Sequence, residues 1–297
     1  MTLATRGKPS WLKIQIPERN QRILELREIL RRHGLVTVCE EAHCPNIPEC
    51  WNGGTATFMV LGDTCTRGCR FCNVEKAKNP LPVNPWEPKM LAMAVKELKL
   101  DYIVVTSVDR DDLPDQGSGH FAECIKAMKE QDPNVLVEVL IPDFRGDVDC
   151  LKKVVDAEPD VIAHNVETVR RLQRKVRDRR AGYDQSLGVL TNVKKFNSKI
   201  FTKSSIIVGF GESDEEVMET MKDLKAINVD FITVGQYLRP SSKHIEVTEY
   251  VPPEKFEFYK KNGESLGFKY VASGPFVRTS YRAGELFVKS VIQNRAN

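Results

Sequence analysis

From residue 56 onward the chain alternates short apolar runs with longer amphipathic stretches, and this alternation restricts the fold more than any other feature. The apolar runs are residues 56–61, 101–106, 135–141, 160–165, 202–208 and 231–234. Between them lie residues 88–100, 120–130, 148–156 and 214–227, which read as helices. Strands and helices alternating at this interval form βαβ units, and those require a parallel sheet. Six such units are too few for an eightfold barrel. The expected fold is α/β, an open, partial (β/α)6 TIM-type barrel, with a doubly wound sheet as the alternative. In either, the carboxyl ends of the strands carry the chemistry. A length of 297 residues suits an α/β barrel running as a single unit.

Both flanks of the barrel region have a different character. Pro17, Glu18 and the spacing of Ile23, Leu26 and Leu30 predict an amphipathic helix that stops at Gly34. Residues 39–54 are rich in Cys, Pro and Gly, show no apolar period and need something other than a core to hold them. Residues 251–297 contain a further helix, a short apolar run at 269–272 and a polar turn at 274–284. The expected organisation is an N-terminal helix and extension (1–54), a barrel (55–250) and a C-terminal extension (251–297), integrated as one domain. There is no internal repeat and no low-complexity segment.

Eight cysteines fall unevenly. Six lie between positions 39 and 72, while Cys124 and Cys150 stand alone. A disulfide framework belongs to small secreted domains. Residues 1–11 have no apolar h-region and do not read as a secretory signal. The longest apolar runs are too short to span a bilayer, and a net charge of +3 does not point to nucleic acid. Clustered thiols in such a chain are more often metal ligands. The two lone cysteines read as small buried hydrophobes on helices.

Cys65, Cys69 and Cys72 form C-x3-C-x2-C directly after the first barrel strand. Three thiolates on one tight loop hold three corners of a cubane and leave one iron open to a small molecule. The plainer alternative is a zinc site completed by His43, although zinc sites more usually show paired C-x2-C knuckles or a Cys/His pair. Cys39, Cys44 and Cys50, spaced C-x4-C-x5-C, make a second three-thiolate set ahead of the barrel.

The set Cys65, Cys69 and Cys72, with the aromatic Phe71 before its last cysteine, resembles the signature of the radical S-adenosylmethionine superfamily. Two thiolate triplets in one chain narrow the resemblance to the lipoyl synthase family. It is carried further by Glu41-Ala42-His43-Cys44-Pro45-Asn46, by Thr106-Ser107-Val108-Asp109-Arg110-Asp111-Asp112-Leu113, by His164-Asn165-Val166-Glu167-Thr168-Val169, by Lys203-Ser204-Ser205 and by Arg278-Thr279-Ser280-Tyr281, over roughly residues 10–285. The resemblance implies two 4Fe–4S clusters. Cys65, Cys69 and Cys72 would bind the radical cluster, whose open iron takes S-adenosylmethionine. Cys39, Cys44 and Cys50 would bind an auxiliary cluster, closed by Ser280 from the C-terminal extension. The family's motif there begins Arg-Ser-Ser-Tyr; this chain has Thr279 in place of the first serine, so the match falls on Ser280. Local sequence alone would make Ser280 a turn residue.

The activity implied is radical insertion of two sulfur atoms, at C6 and C8 of an octanoyl chain amide-linked to a carrier lysine, with the auxiliary cluster as sulfur donor. An unactivated C–H bond has no acidic proton, so a radical is the natural route. Implied partners are octanoylated lipoyl carrier proteins (lipoyl domains of 2-oxoacid dehydrogenases and the glycine cleavage H protein), an electron donor such as ferredoxin or flavodoxin, and an iron–sulfur carrier for cluster repair, with no nucleic acid and no membrane. The expected compartment is a bacterial cytoplasm or an organellar matrix. Candidates for binding S-adenosylmethionine are Thr106, Ser107, Asn165, Glu167 and Arg177; helix capping and loop hydrogen bonding are the plainer roles for these residues. Residues 170–180 carry seven basic residues, which read as a solvated helix face that also steers an acidic carrier. The segment Gly209-Phe210-Gly211-Glu212 lacks a third glycine and is discounted as a phosphate loop. A biotin synthase-like sulfur inserter, a ferredoxin-like electron carrier and a zinc-dependent binding module are the competing readings.

Overall fold

The structure is a computed structural model that describes residues 8–12, 21–42, 44, 46–52, 55–100 and 102–280. The expectations placed on Pro17, Glu18, His43, Pro45, Tyr281 and the remainder of the C-terminal extension lie outside the described residues.

The chain opens with α1 (Gln21–Arg32), β1 (Val36–Thr37) and two short helices that carry the first cysteine set, α2 (Val38–Glu41) and α3 (Ile47–Asn52). The barrel begins at β2 (Thr57–Val60). Two-residue strands β3 (Thr64–Cys65) and β4 (Glu75–Lys76) then pair in parallel and frame the second cysteine set. There follow α4 (Glu87–Leu98), β5 (Tyr102–Ser107), α5 (Ser118–Gln131), β6 (Leu136–Leu140), α6 (Val148–Val155), β7 (Val161–Ala163), α7 (Gln173–Val176), α8 (Tyr183–Phe196), β8 (Phe201–Val208), α9 (Asp214–Ala226), β9 (Phe231–Gln236), α10 (Pro253–Ser265) and β10 (Tyr270–Gly274). The main sheet, among the described residues, runs β1-β2-β5-β6-β7-β8-β9-β10. Only β1 is antiparallel within it. The six expected strands form as βαβ units, and the run near residue 270 joins them as a seventh parallel strand.

Side-chain alternation along β5 sorts the two faces. Ile103 and Val105 pack with Leu91, Val95, Phe121 and Ile125 of the helical layer. Tyr102 and Val104 face the barrel interior, where they meet Val161, Phe201 and Phe231. The parallel register places Thr57 beside Val104 and Met59 beside Thr106, so β2 turns Thr57 and Met59 to the same interior. The amino-terminal half of that interior is plugged by a buried polar group: Lys203 Nζ donates to both Glu138 carboxylate oxygens (2.8 and 3.1 Å), and Tyr102 Oη donates to Glu138 Oε2 (2.6 Å). The carboxyl ends above this plug are left to line a cavity.

Local signals set the helices. Asp147 caps α6 by accepting from the amides of Asp149 and Cys150, and a capping box between Ser213 and Glu216 starts α9. Cys124 and Cys150 are buried on α5 and α6, as expected. The reading of residues 170–180 as a solvated helix face requires correction. Residues Arg170–Leu172 form a 3-10 turn, α7 is one turn long, and the chain is extended at Arg177. The crossover helix is α8 instead, which sequence patterning did not announce.

After β10 the chain crosses back over the barrel as a strap, residues 275–280. Gly235 on β9 makes this possible. A Cβ there would stand 2.1 Å from the carbonyl oxygen of Val277. Gly235→Ala should therefore lift the strap or displace β9, at a cost of about 1–3 kcal/mol from overpacking. An anaerobic thermal melt checks this; an unchanged midpoint would mean that the strap does not seat on β9.

Candidate active site

The cavity at the carboxyl ends of the strands has a volume of about 250 Å³. Cys65, Cys69 and Cys72 line it, together with all five polar candidates: Thr106 and Ser107 from the end of β5, Asn165 and Glu167 after β7, and Arg177 after α7. The structure thus brings the second cysteine set and these five residues to one place. Arg67, Asp109, Asp143 and His164 line the same cavity and were not singled out by sequence reasoning.

Arg67 explains how a loop without a core is held. Its guanidinium, almost fully buried, forms a fork with Asp111 (Nε to Oδ2 2.9 Å, Nη2 to Oδ1 2.8 Å) and also meets Asp143 Oδ1 at 2.7 Å and Asp109 Oδ1 at 3.2 Å. Burial pushes the Asp109 carboxyl up to about 6, with Asp143 and Asp111 adding to the rise and Arg67 opposing it. Asp143 is likewise buried, but its hydrogen bond and charge pairing with Arg67 win and bring it down to about 2. Arg180 supplies a second cation to Asp111, at 3.0 Å. The one available signal was the acidic run Asp109-Arg110-Asp111-Asp112 after a strand, set against an arginine inside the cysteine loop.

The thiols themselves sit in a site that disfavours free thiolates. Burial pushes Cys65 and Cys69 up to about 12 and raises Cys72 as well. Backbone amides already aim at two of the sulfurs: Arg67 N–H to Cys65 Sγ at 3.4 Å and Asp178 N–H to Cys69 Sγ at 3.3 Å. Thiols so placed ionise when a metal replaces the proton. Polar atoms with no protein partner line the same space: Ser107 Oγ, Asn165 Oδ1 and Asp143 Oδ2. Buried unpaired polar atoms are costly and call for a polar ligand. Glu167 has a left-handed backbone (φ 65°), a strained state for a non-glycine residue, and its buried carboxyl lies above its usual range. These residues fit an iron–sulfur cluster carrying a small polar co-substrate.

The first cysteine set lies beside this cavity and not in it. Cys39 is on α2, Cys44 in the following loop and Cys50 on α3, all half-buried. Cys44 N–H donates to Cys39 carbonyl oxygen (2.9 Å), and Val38, next to Cys39, lines the cavity wall. Asn73, next to Cys72, donates to the Glu41 carbonyl oxygen at 2.9 Å and ties the two cysteine segments together. Burial raises the Cys44 thiol, the Asn46 amide opposes this, Cys39 adds to the rise, and the half-buried Arg278 charge opposes it. The C-terminal strap reaches the set from the far end of the sequence. Asn46 Nδ2 donates to the Phe276 carbonyl oxygen (2.6 Å), Thr57 Oγ1 donates to Ser280 Oγ (2.8 Å), and Asn165 Nδ2 donates to Thr279 Oγ1 (2.9 Å).

Other sequence features resolve more simply. In the loop after β8, the Glu212 carboxylate itself accepts from Gly209 N–H and Phe210 N–H (the latter 3.0 Å), so no anion site is left there. Glu87, His120 and Cys124 converge between α4 and α5, but one Glu87 oxygen already accepts from Leu61 N–H (2.8 Å) and pairs with His120 Nε2 (2.7 Å). That group clamps two helices to the end of β2. Of the basic run, Arg170 pairs with Asp184, Arg171 with Glu216 and Arg180 with Asp178, while Arg177 is buried. Much of its charge is spent within the molecule.

Comparison with known proteins agrees with this geometry. Residues 59–224 match the model of the radical SAM superfamily. The chain is 58% identical over 291 residues to the chloroplastic lipoyl synthase of Arabidopsis thaliana, covering 96% of this chain and 74% of that one. It is 56% identical over 291 residues to lipoyl synthase of Anaeromyxobacter sp. (strain Fw109-5), covering 98% of each. Among solved structures the fold is similar to methylornithine synthase (TM-score 0.50, 14% identity, 94% of each chain). It is similar also to SuiB of Streptococcus suis (TM-score 0.58, 9% identity, 88% of this chain and 56% of that one). An open parallel barrel with three thiols at its mouth defines an iron–sulfur enzyme of the radical S-adenosylmethionine class. Within that class, the chain belongs to the lipoyl synthase family, whose members are sulfurtransferases working with two 4Fe–4S clusters and S-adenosylmethionine.

His164 gives this site a measurable pH signature. Its Nδ1 bonds the Ile141 carbonyl oxygen (2.9 Å), its Nε2 meets Ser186 Oγ (2.9 Å), and Arg177 Nη1 donates to that hydroxyl at 2.8 Å. The Ile141 carbonyl places a proton on Nδ1, and the Ser186 hydroxyl can donate to Nε2 of the neutral ring. Burial, with Arg177 second and Asp143 opposing, lowers His164 to about 4 from 6.5. The folded state therefore binds fewer protons than the unfolded chain between these values. This contribution is complete above pH 6.5 and is lost as pH falls toward 4, by about 3 kcal/mol in all. His164→Gln should flatten the loss of stability across that window in denaturant titrations. An undiminished slope would mean that other groups set it.

Proposed function

We propose that the cavity cysteines Cys65, Cys69 and Cys72 hold the radical cluster, and that Cys39, Cys44, Cys50 and Ser280 hold the auxiliary one. The observation that carries this is the pairing of two thiol sets across one wall, one facing a polar cavity and the other met by the C-terminal strap. When bound, the two clusters supply the electron that splits S-adenosylmethionine and the sulfide inserted at C6 and C8 of a protein-bound octanoyl-lysine chain.

Each residue around the cavity has a task in this reading. The unpartnered Ser107 Oγ can donate to or accept from the co-substrate, and Asn165 Oδ1 accepts from it. Asp143 and Glu167 offer carboxyl oxygens to its ammonium group, and Thr106 closes the floor by donating to the Leu140 carbonyl oxygen (3.1 Å). Arg177 holds the wall: its Nη1 reaches Ser186, Gln173 and the Val166 carbonyl oxygen, all buried. Apolar lining from Met59, Val108, Leu140 and Ile141 keeps water from the reactive carbon. In this reading the cysteine segment of the N-terminal extension (1–54) and the strap of the C-terminal one (251–297) enclose the auxiliary cluster against the barrel (55–250), while β10 of the latter joins the sheet.

The protein substrates in this reading are octanoylated lipoyl domains of 2-oxoacid dehydrogenases and the H protein of glycine cleavage. A ferredoxin or flavodoxin donates the electron, and an iron–sulfur carrier rebuilds the consumed cluster. No helix among the described residues is long and apolar enough to cross a membrane. The reaction belongs in a bacterial cytoplasm or, as the names of the plant relatives suggest for them, a plastid.

Two substitutions separate the cysteine sets. Cys69→Ala should abolish reductive cleavage of S-adenosylmethionine, read as 5′-deoxyadenosine by mass spectrometry under anaerobic conditions; normal 5′-deoxyadenosine yield would refute its assignment. Cys44→Ala should retain that cleavage while sulfur insertion into an octanoylated peptide falls to background. Lipoyl product from Cys44→Ala would remove the first set from the reaction.

A further inference from the structure

We infer that Thr57 is the positioning residue that seats Ser280 as a ligand, an inference resting on the reading of Ser280 as the fourth auxiliary ligand. Thr57 opens β2, a strand paired on both sides, by β1 and by β5. Its side chain faces the barrel interior, is 2% exposed and donates to Ser280 Oγ at 2.8 Å. The two other strap bonds leave the Ser280 side chain undetermined. Asn46 holds the strap at the Phe276 carbonyl oxygen and Asn165 holds it at the Thr279 hydroxyl. A serine so anchored still has three staggered side-chain positions. The Thr57 hydroxyl selects one of them.

It also favours the form of serine that a metal takes. A ligating serine oxygen has given up its proton and carries negative charge, and a hydrogen bond to a charged oxygen is stronger than one to a neutral hydroxyl. Thr57 is a neutral donor fixed on a sheet, so it supports that charge without competing for the iron. Of the four residues that would hold the cluster, Ser280 is the one hard oxygen donor among soft thiolates and would be the weakest ligand, so one hydrogen bond there would have a large effect.

The test uses the full chain, reconstituted anaerobically with both clusters. The readouts are the Mössbauer spectrum of the auxiliary cluster and the rate at which iron leaves it to a chelator. Thr57→Val keeps shape and removes the donor; it should release iron about tenfold faster and lose the spectral signature of the oxygen-bound iron. Thr57→Ser keeps the hydroxyl and should release iron at the wild-type rate. Ser280→Ala should show at least the Thr57→Val defect, and adding Thr57→Val to it should change nothing further. A wild-type spectrum and rate in Thr57→Val, a fast rate in Thr57→Ser, or additive effects in the double variant would each overturn the role of Thr57. If Ser280→Ala itself matches wild type, the ligand assignment fails and takes this inference with it. Should Thr57→Val lose the radical cluster too, as read by its electron paramagnetic resonance with S-adenosylmethionine, the Thr57→Ser rate decides alone.

Discussion

The buried guanidinium of Arg67 is the contact on which the rest of the site depends. The loop from Cys65 to Cys72 contributes few side chains to a core, and its own regular structure is one two-residue strand pair. What fixes it is one cation in reach of three carboxylates, Asp109, Asp111 and Asp143. Two of them come from the segment after β5 and one from the segment after β6. The loop is thereby fastened across two adjacent βα connections. The arrangement is over-supplied with negative charge, and the structure answers in two ways: Arg180 adds a second cation to Asp111, and burial moves Asp109 toward its protonated form. Breaking a buried pair of this kind leaves an uncompensated charge and costs about 3–5 kcal/mol. Held in this way, the loop keeps its three thiols on one wall of the cavity.

The barrel was legible because its signals are local. An apolar run bounded by turn residues is a strand wherever it occurs, and the expected strand positions agree with β2, β5, β6, β7, β8 and β9 to within one or two residues at most ends. The exception is instructive. Residues 170–180 looked helical because they are charged, whereas Tyr183–Phe196 is the helix that crosses back to β8. Gly188 sits in its middle, and its buried face is carried by Tyr183, Ser186, Val189, Leu190 and Val193, a mixed set that apolar periodicity detects poorly. The arginines before it were expected to face water. They instead meet carboxylates on later elements, Asp184 and Glu216, which no local pattern reveals.

The site divides in the same way. Cysteine spacing is a local signal, so both thiol sets were visible, and so were the polar residues that end β5 and β7. The contacts that organise them were not. Thr57 and Ser280 lie 223 positions apart, and Asn46 and Phe276 lie 230 apart. Arg67 lies 44 positions from Asp111, with β4, α4 and β5 between them, and Asp143 lies beyond α5 and β6 as well. His164 was present in a quoted motif, but its neutral state follows from burial and from the Arg177–Ser186 chain, both products of tertiary structure.

Closing the barrel with the strap has a physical consequence for reactivity. A full eightfold barrel fills its own interior. This sheet has a lateral opening, and a substrate chain long enough to reach both clusters needs one. The strap partly covers it with residues 276–280, which contact the auxiliary segment through Asn46, the first barrel strand through Thr57 and the cavity through Asn165. The polar contacts are single hydrogen bonds, individually worth about 1 kcal/mol, beside the packing of Val277 over Gly235, whereas the cysteine loop is fastened by buried charge. Such asymmetry suits a centre in which one cluster must persist through every turnover while the other is taken apart. In the proposed assignment the persistent thiol set is locked by buried charge, and the consumed one is closed by the strap.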